Sequence, residues 1–142
     1  MKQSKGLAEW QGSLKDGKGV FSVGSGVISG ATYTFGTRFG EDKGTNPEEL
    51  IAAAHAACFS MALSAQLGER GMTPDSIQTT ATVTLDKTET GFGITRSHLD
   101  VVARIPGADA AQFEEATQAA KKGCPISKVL NTEITMDARL ES

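Results

Sequence analysis

The chain has 142 residues, of which 39% are hydrophobic and 22% are charged, and these values predict one globular domain spanning residues 1–142. A formal net charge of −3, with no basic run longer than Lys121-Lys122, gives no reason to expect nucleic acid as a partner. Apolar runs stay well short of about 18 residues, and residues 1–6 lack the apolar segment of a secretory signal. We therefore expect a cytoplasmic protein without a membrane partner.

The first third of the chain is expected to form β-strands separated by glycine-rich turns. We predict strands at residues 6–11, 20–23 and 27–29, because clusters of Gly, Ser and Asp punctuate these segments. A fourth strand is predicted over residues 31–38, which alternate and are rich in β-branched and aromatic residues. Arg38 would then stand at the end of a strand.

A long helix that begins at Pro47 is the most strongly indicated element. Polar residues just before Pro47 can cap this helix, and Glu48 and Glu49 complement the positive end of its dipole. Gly68 or Gly71 offers the stop. Apolar or small residues cover almost the whole circumference, which is typical of a helix that is buried on every side.

The second half of the chain is predicted to open with a β-hairpin. Two long alternating segments, residues 77–87 and 92–105, flank a turn at Gly91. Runs of strands that alternate with runs of helices are typical of an α+β fold, and not of a parallel βαβ fold. Two helices and a last strand are predicted to complete the chain, at residues 109–122, 124–130 and 133–140.

Two cysteines, 66 positions apart, are the residues most suggestive of chemistry. Cys58 lies among alanines in the long helix, whereas Cys124 precedes Pro125 and is expected to be the N-cap of a helix. Backbone N–H groups and the helix dipole favour a thiolate at an N-cap. Either cysteine could instead be a buried packing residue. Structural disulfides are uncommon in the cytoplasm, so the pair suggests thiol redox chemistry.

Cys58 is predicted to receive no help from the start of its own helix. It lies about 15 Å along the axis from Glu48, and dipole effects fade within the first turn. A thiolate in this apolar setting needs a nearby cation, for which Arg38 is the best candidate. If Glu48 contributes to the Cys58 site, it must come from another copy of the chain. The alternatives are a solvated surface charge for Arg38 and a plain helix-terminal carboxylate for Glu48.

No metal or cofactor is expected from the sequence. His55 precedes Cys58 by three residues, and His98 lies in a predicted strand, but their spacing with the cysteines matches no compact zinc pattern. The chain also lacks Cys-x-x-Cys, which argues against exchange of the thioredoxin type.

Four motifs, taken together, give the chain a family resemblance. In this order they closely resemble the osmotically inducible protein C (OsmC) family, which includes the organic hydroperoxide resistance (Ohr) proteins. The resemblance covers essentially the whole chain and is closer to the OsmC branch than to the Ohr branch. The motifs are Thr37-Arg38-Phe39, Lys-Gly-Thr-Asn-Pro-Glu-Glu-Leu at residues 43–50, His-Ala-Ala-Cys-Phe-Ser-Met at residues 55–61, and Gly123-Cys124-Pro125.

The resemblance implies a thiol-dependent peroxidase that reduces organic hydroperoxides and hydrogen peroxide. It implies an intertwined homodimer, with long central buried helices wrapped by antiparallel sheets and with active sites at the subunit interface. Cys58 matches the peroxidatic cysteine and Cys124 the resolving cysteine, which form a disulfide that a dithiol, by family likeness a lipoyl group, reduces. Arg38 matches the group that stabilises the thiolate and the leaving oxygen, and Glu48 the group from the partner subunit that orients Arg38.

Two other functions fit the residues without this chemistry. One is a non-enzymatic module of the same fold that binds an apolar ligand or senses the redox state. The other is a static disulfide, which in a loop of this length would contribute about 4 kcal/mol to stability. Titration of thiols before and after the addition of hydroperoxide distinguishes these functions from a peroxidase.

Overall fold

The computed structural model describes all residues from 1 to 142, which form two compact units at residues 1–50 and 51–142. Each unit contains one three-stranded sheet. In chain order the elements are β1 (Gly6–Gln11), β2 (Lys18–Val23), β3 (Ala31–Tyr33), α1 (Phe35–Phe39), α2 (Pro47–Glu69), β4 (Ser76–Thr88), β5 (Gly91–Arg104), α3 (Ala110–Gly123), α4 (Pro125–Val129) and β6 (Glu133–Glu141).

The first sheet is antiparallel, in the order β1-β2-β3. Gly19 of β2 pairs with Trp10 on one side and with Tyr33 on the other. The rings of Trp10 and Tyr33 approach to 5.5 Å over this position. A side chain on residue 19 would collide with both rings, so glycine is what allows the two aromatic residues to pack together.

The predicted strand at residues 31–38 is wrong beyond Tyr33, where helix α1 replaces it. The Thr34 side chain accepts a hydrogen bond from the Thr37 N–H at 3.2 Å, and the Thr37 hydroxyl accepts one from the Thr34 N–H at 2.9 Å. This reciprocal cap starts a helix within a segment of high β-propensity. The predicted strand at residues 27–29 is also wrong, because this segment is bent and belongs to no strand.

Helix α2 begins where the sequence predicts. Asn46 precedes Pro47, and its side-chain oxygen accepts a hydrogen bond from the Glu49 N–H at 2.8 Å. Only one side of the helix is buried in the chain, so the prediction of burial on every side is wrong for the single chain. By length and composition α2 would suffice to cross a membrane, but core helices meet the same criterion. The large apolar residues of its buried side are Phe59, Leu63 and Leu67.

The second sheet, in the order β4-β5-β6, forms the main core of residues 51–142. Strands β4 and β5 make the predicted antiparallel hairpin, whereas β6 runs parallel to β5 after the crossover through α3 and α4. The expectation of purely antiparallel sheets is therefore wrong for this sheet. The two helices between β5 and β6 carry the chain back to the end of the sheet where β5 begins, so β6 runs in the same direction as β5. On β5 the buried residues alternate along one face, which is formed by Ser97, Leu99, Val101 and Ala103.

Residues 1–50 contain little core of their own. Phe21 is the single buried hydrophobic side chain among them. Three short strands with so few buried apolar groups are not expected to be stable alone. The prediction of one domain over residues 1–142 stays a prediction.

Candidate active site

The fold brings the two cysteines into contact within one chain. The Sγ atoms of Cys58 and Cys124 lie 2.8 Å apart, and the Cys124 thiol donates to the Cys58 sulfur. Both cysteines are reduced; Cys58 is half-buried, and Cys124 is fully buried. Cys58 lies in the middle of α2, and Cys124 links the end of α3 to the start of α4. A pair this close needs only a small movement to form a disulfide.

The sequence indicates that the start of α4 assists Cys124, whereas in the structure it assists Cys58. Cys124 is the N-cap, as predicted, but its side chain makes no capping hydrogen bond. Instead the backbone N–H of Ile126, in the first turn of α4, lies near enough to Cys58 to lower the pKa of its thiol. The expectation that the start of α2 gives Cys58 no help is not affected, because Ile126 belongs to a different helix. An N–H that the helix itself leaves unpaired favours a thiolate at Cys58.

Burial raises the pKa of the Cys58 thiol above its ordinary value, and the adjacent Cys124 thiol adds to this increase. Two sulfurs in contact resist carrying two negative charges, so one of them stays protonated when the other ionises. The Ile126 N–H acts in the opposite direction and lowers the pKa of Cys58. Within one chain the net effect is a weak acid, so a reactive thiolate requires a further positive charge.

Arg38 and Glu48 form a tight ion pair within residues 1–50, whereas the resemblance implied that Glu48 of the partner subunit orients Arg38. Nη2 of Arg38 lies 2.8 Å from Oε1 of Glu48, and Nε lies 3.1 Å from the same oxygen and 3.3 Å from Oε2. Glu48 is only 7% exposed, whereas the Arg38 side chain is 38% exposed. The fork of the guanidinium is thus held by a buried carboxylate and still presents a face to other groups.

Local hydrogen bonds fix the geometry of this pair. The Asn46 side chain donates to the Thr37 carbonyl at 2.9 Å while its oxygen caps α2 at Glu49. Asn46 therefore ties the end of α1, which carries Arg38, to the start of α2, which carries Glu48. The Phe39 ring lies 5.1 Å from the guanidinium carbon and limits its movement further.

An aromatic cavity opens beside Arg38, and sequence reasoning missed it. The cavity has a volume of about 210 Å³ and is lined mainly by apolar groups. The signal that could have found it is the concentration of aromatic residues in β1, β3 and α1. Its lining residues are Trp10, Leu14, Tyr33, Thr34, Phe35, Arg38 and Phe39.

His55 is fully buried one turn before Cys58, and both of its ring nitrogens are occupied. Nδ1 lies 2.7 Å from the Ser97 hydroxyl, and Nε2 lies 2.8 Å from the Ser127 hydroxyl. Burial lowers the pKa of His55 because a charged imidazole would be desolvated. The ring therefore stays neutral, with one serine donating to it and the other accepting its N–H.

His98 lies in a different environment from the cysteines. Nδ1 contacts the Thr135 hydroxyl, and Nε2 lies 3.3 Å from Asp100 and 3.2 Å from Asp137. One ligand atom from each of His98, Asp100 and Asp137 lies within 4.8 Å of the others, so by donor type this group could hold a divalent cation. Exposed carboxylates of this kind are common without an ion, and the cluster carries no assignment. His55 has no free nitrogen to offer a metal beside the cysteines.

A mixed α+β fold with two reduced cysteines in contact defines a protein of the two-cysteine redox class. The family model described as OsmC-like protein matches residues 40–139. Peroxiredoxin OsmC of Escherichia coli (strain K12) is 57% identical over 138 residues, which cover 97% of this chain and 96% of that protein. The chain therefore belongs to the OsmC family, and the resemblance of its four motifs is confirmed.

The Ohr proteins are more distant relatives. Organic hydroperoxide resistance protein OhrB of Bacillus subtilis (strain 168) is 35% identical over 99 residues, which cover 69% of each protein. The crystal structure of OhrB of Bacillus subtilis matches with a TM-score of 0.69 at 26% identity, covering 96% of this chain and 98% of that chain. The sequence identity of 57% to Peroxiredoxin OsmC exceeds the 35% to OhrB, which is consistent with the OsmC branch that the motifs indicate.

The buried neutral His55 predicts a loss of stability in mild acid. In the unfolded chain a histidine takes up a proton near pH 6.5, at about its ordinary pKa, whereas folded His55 does so only at lower pH. Stability should therefore fall as pH decreases below about 6.5, by at most about 1.4 kcal/mol per pH unit from this residue. Urea unfolding across this range measures the slope for wild type and for His55→Gln, which should be flatter.

His98→Gln is the matched control, because it removes the other histidine and leaves the His55 contribution in place. Equal acid slopes for wild type and His55→Gln would contradict the prediction.

Proposed function

We propose that this protein is a two-cysteine thiol peroxidase that reduces organic hydroperoxides, and also hydrogen peroxide. The observation that carries the proposal is the 2.8 Å contact between Cys58 and Cys124. The names of the relatives, Peroxiredoxin OsmC and organic hydroperoxide resistance protein, support the same chemistry. Together they favour an enzyme over a binding module or a static disulfide.

Cys58 is the peroxidatic residue, since the nearby Ile126 N–H lowers the pKa of its thiol and its sulfur is the less buried of the two. Its thiolate attacks the terminal peroxide oxygen, the O–O bond breaks, and the alkoxide leaves and takes a proton to become the alcohol. Cys58 is then a sulfenic acid. Cys124, the resolving residue, attacks the sulfenic sulfur, and water departs with the thiol proton.

Arg38 supplies the positive charge that the Cys58 thiolate requires and stabilises the departing oxygen. Glu48 orients Arg38 and, because the two pair within one chain, they act as a unit. Glu48 and Cys58 lie about 15 Å apart along the same helix. We therefore assign the Arg38–Glu48 pair of one subunit to the Cys58 site of its partner.

The preferred substrates are hydroperoxides with a hydrocarbon portion. The aromatic cavity beside Arg38, at about 210 Å³, suits an alkyl or aryl group. Arg38 lies in its wall, so a peroxide group that contacts the guanidinium can leave its apolar portion among the aromatic rings.

A dithiol completes the cycle by reducing the Cys58–Cys124 disulfide, and two electrons pass to it as it becomes a disulfide itself. A lipoyl group is the dithiol that we propose. The cytoplasm, where thiols are kept reduced, is the compartment that we propose. The chain needs no metal and no cofactor for this reaction.

The protein acts as a homodimer in this proposal, because α2 exposes an apolar stripe. Met61, near the middle of the helix, is 78% exposed. Small residues surround it, and these allow a second helix to approach closely. A second copy of α2 is the occupant of matching composition. The exposed residues of the stripe are Ala53, Ala54, Ala57, Met61 and Ala65.

The different roles of the two cysteines can be separated with peroxide. Addition of one equivalent of cumene hydroperoxide to the reduced protein should remove both titratable thiols and leave a disulfide. Cys124→Ser should consume one equivalent, stop at the sulfenic acid and fail to turn over with a dithiol, whereas Cys58→Ser should consume none. Thiol titration and intact mass measure these outcomes. Full peroxide consumption by Cys58→Ser would reverse the two assignments.

Replacement of Arg38 should slow the peroxide step. Arg38→Met removes the charge beside the thiolate and the leaving oxygen, so kcat/KM for cumene hydroperoxide should fall about 100-fold. The pH midpoint for alkylation of Cys58 should rise in the same variant. Arg104→Met, at a surface arginine whose side chain is 63% exposed, is the control and should match wild type. Unchanged kcat/KM and alkylation in Arg38→Met would contradict the role.

Substitution on the α2 stripe should dissociate the dimer. Met61→Glu places a charge in the proposed interface, and sedimentation analysis should show a monomer in place of a dimer. Val27→Glu alters a residue of similar exposure, 82%, in the turns between β2 and β3, and should leave the dimer intact. A wild-type monomer, or a dimeric Met61→Glu protein, would contradict this assembly.

A further inference from the structure

Helix α4 presents Cys124 to Cys58, yet it has little apolar anchorage. Of its five residues only Ser127 is buried, and Val129 is 72% exposed. The Ser127 hydroxyl forms a hydrogen bond with Nε2 of His55, at 2.8 Å. The buried attachment of α4 to α2 on this side is therefore polar and depends on one histidine.

The two cysteines and the His55–Ser127 pair form parallel contacts between α2 and α4. His55 and Cys58 are three residues apart and share one face of α2, and Cys124 and Ser127 are also three apart. The His55–Ser127 contact and the Cys58–Cys124 contact therefore each join a residue of α2 to a residue at or near the start of α4, and both distances are 2.8 Å. Fixing the His55–Ser127 contact therefore fixes the position of Cys124 relative to Cys58.

The other ring nitrogen of His55 faces strand β5. Its Nδ1 contacts Ser97 of β5 at 2.7 Å, and the ring is fully buried. Because both nitrogens are occupied, His55 has none with which to take a proton from Cys58. Its contribution to the reaction is thus geometric.

We propose that His55 is a positioning residue for resolution: through Ser127 it holds α4 so that Cys124 meets the sulfenic acid on Cys58. This inference rests on the proposed peroxidase function. In the step concerned the Cys124 sulfur bonds to the Cys58 sulfur, the S–O bond of the sulfenic acid breaks, and water leaves. Peroxide attack on Cys58 precedes this step and does not need Cys124. Loss of the Ser127 contact therefore slows resolution and spares the attack.

Ser127→Ala and Ser97→Ala form a matched pair that tests this role. Each variant removes one hydroxyl from the same buried imidazole, but only Ser127→Ala releases α4. One equivalent of cumene hydroperoxide is added, samples are quenched over time with dimedone and N-ethylmaleimide, and intact mass gives the sulfenic and disulfide fractions. Ser127→Ala should form sulfenic acid at the wild-type rate and convert it to disulfide about tenfold more slowly. Ser97→Ala should convert it at the wild-type rate, and Ser127→Thr, which keeps the hydroxyl, should restore conversion.

A second pair of variants at His55 gives an independent test if Ser127→Ala fails to fold. His55→Asn places its amide where Nδ1 lies and keeps the Ser97 contact, whereas His55→Gln places its amide where Nε2 lies and keeps the Ser127 contact. Conversion should be slow in His55→Asn and close to wild type in His55→Gln.

The outcomes separate this inference from the proposed function. A wild-type protein that forms neither sulfenic acid nor disulfide overturns the peroxidase proposal and this inference with it. A wild-type protein that forms the disulfide, with equal conversion rates in Ser127→Ala and Ser97→Ala or in the two His55 variants, overturns the positioning role alone.

Discussion

The contact between the first turn of α4 and one face of α2 is the feature on which the site depends. It brings Cys124 to 2.8 Å from Cys58 and places the Ile126 N–H where it lowers the pKa of the Cys58 thiol. The two cysteines are 66 residues apart in the chain, and neither helix could create this site alone. The sheet core beneath α2 and the crossover through α3 hold the two helices in place. A short helix can thus provide a nucleophile and an N–H donor because the rest of the fold positions it.

The electrostatics of the thiol follow from the same contact. Burial beside a second sulfur disfavours an anion at Cys58, and a single N–H from Ile126 offsets only part of this effect. An enzyme that uses this thiol must add a cation at the moment of reaction. A guanidinium held by a buried carboxylate, as in the Arg38–Glu48 pair, is well suited because its orientation is set before substrate arrives. Reactivity would then depend on assembly of the site.

Most of the fold could be predicted from local patterns. The N-terminal signals at Pro47, the alternation of the β4–β5 hairpin and the helix predicted at residues 109–122 are properties of short segments, and the structure confirms each of them. The failures occurred where a contact competed with a pattern. At Thr34 a reciprocal cap outweighed high β-propensity, and the parallel pairing of β6 with β5 depended on a crossover whose path no short segment encodes.

The sequence by itself determined which residues could do chemistry: two cysteines in distinctive settings, an arginine near the long helix, and the motifs of the OsmC family. Only the tertiary structure decided which groups surround the sulfurs. The spacing of residues does not reveal that Ile126 lies near Cys58. It also does not reveal that His55 contacts Ser97 and Ser127. Hydrogen bonds between helices depend on how distant segments pack, and side chains that are close in space are not marked as neighbours in the chain.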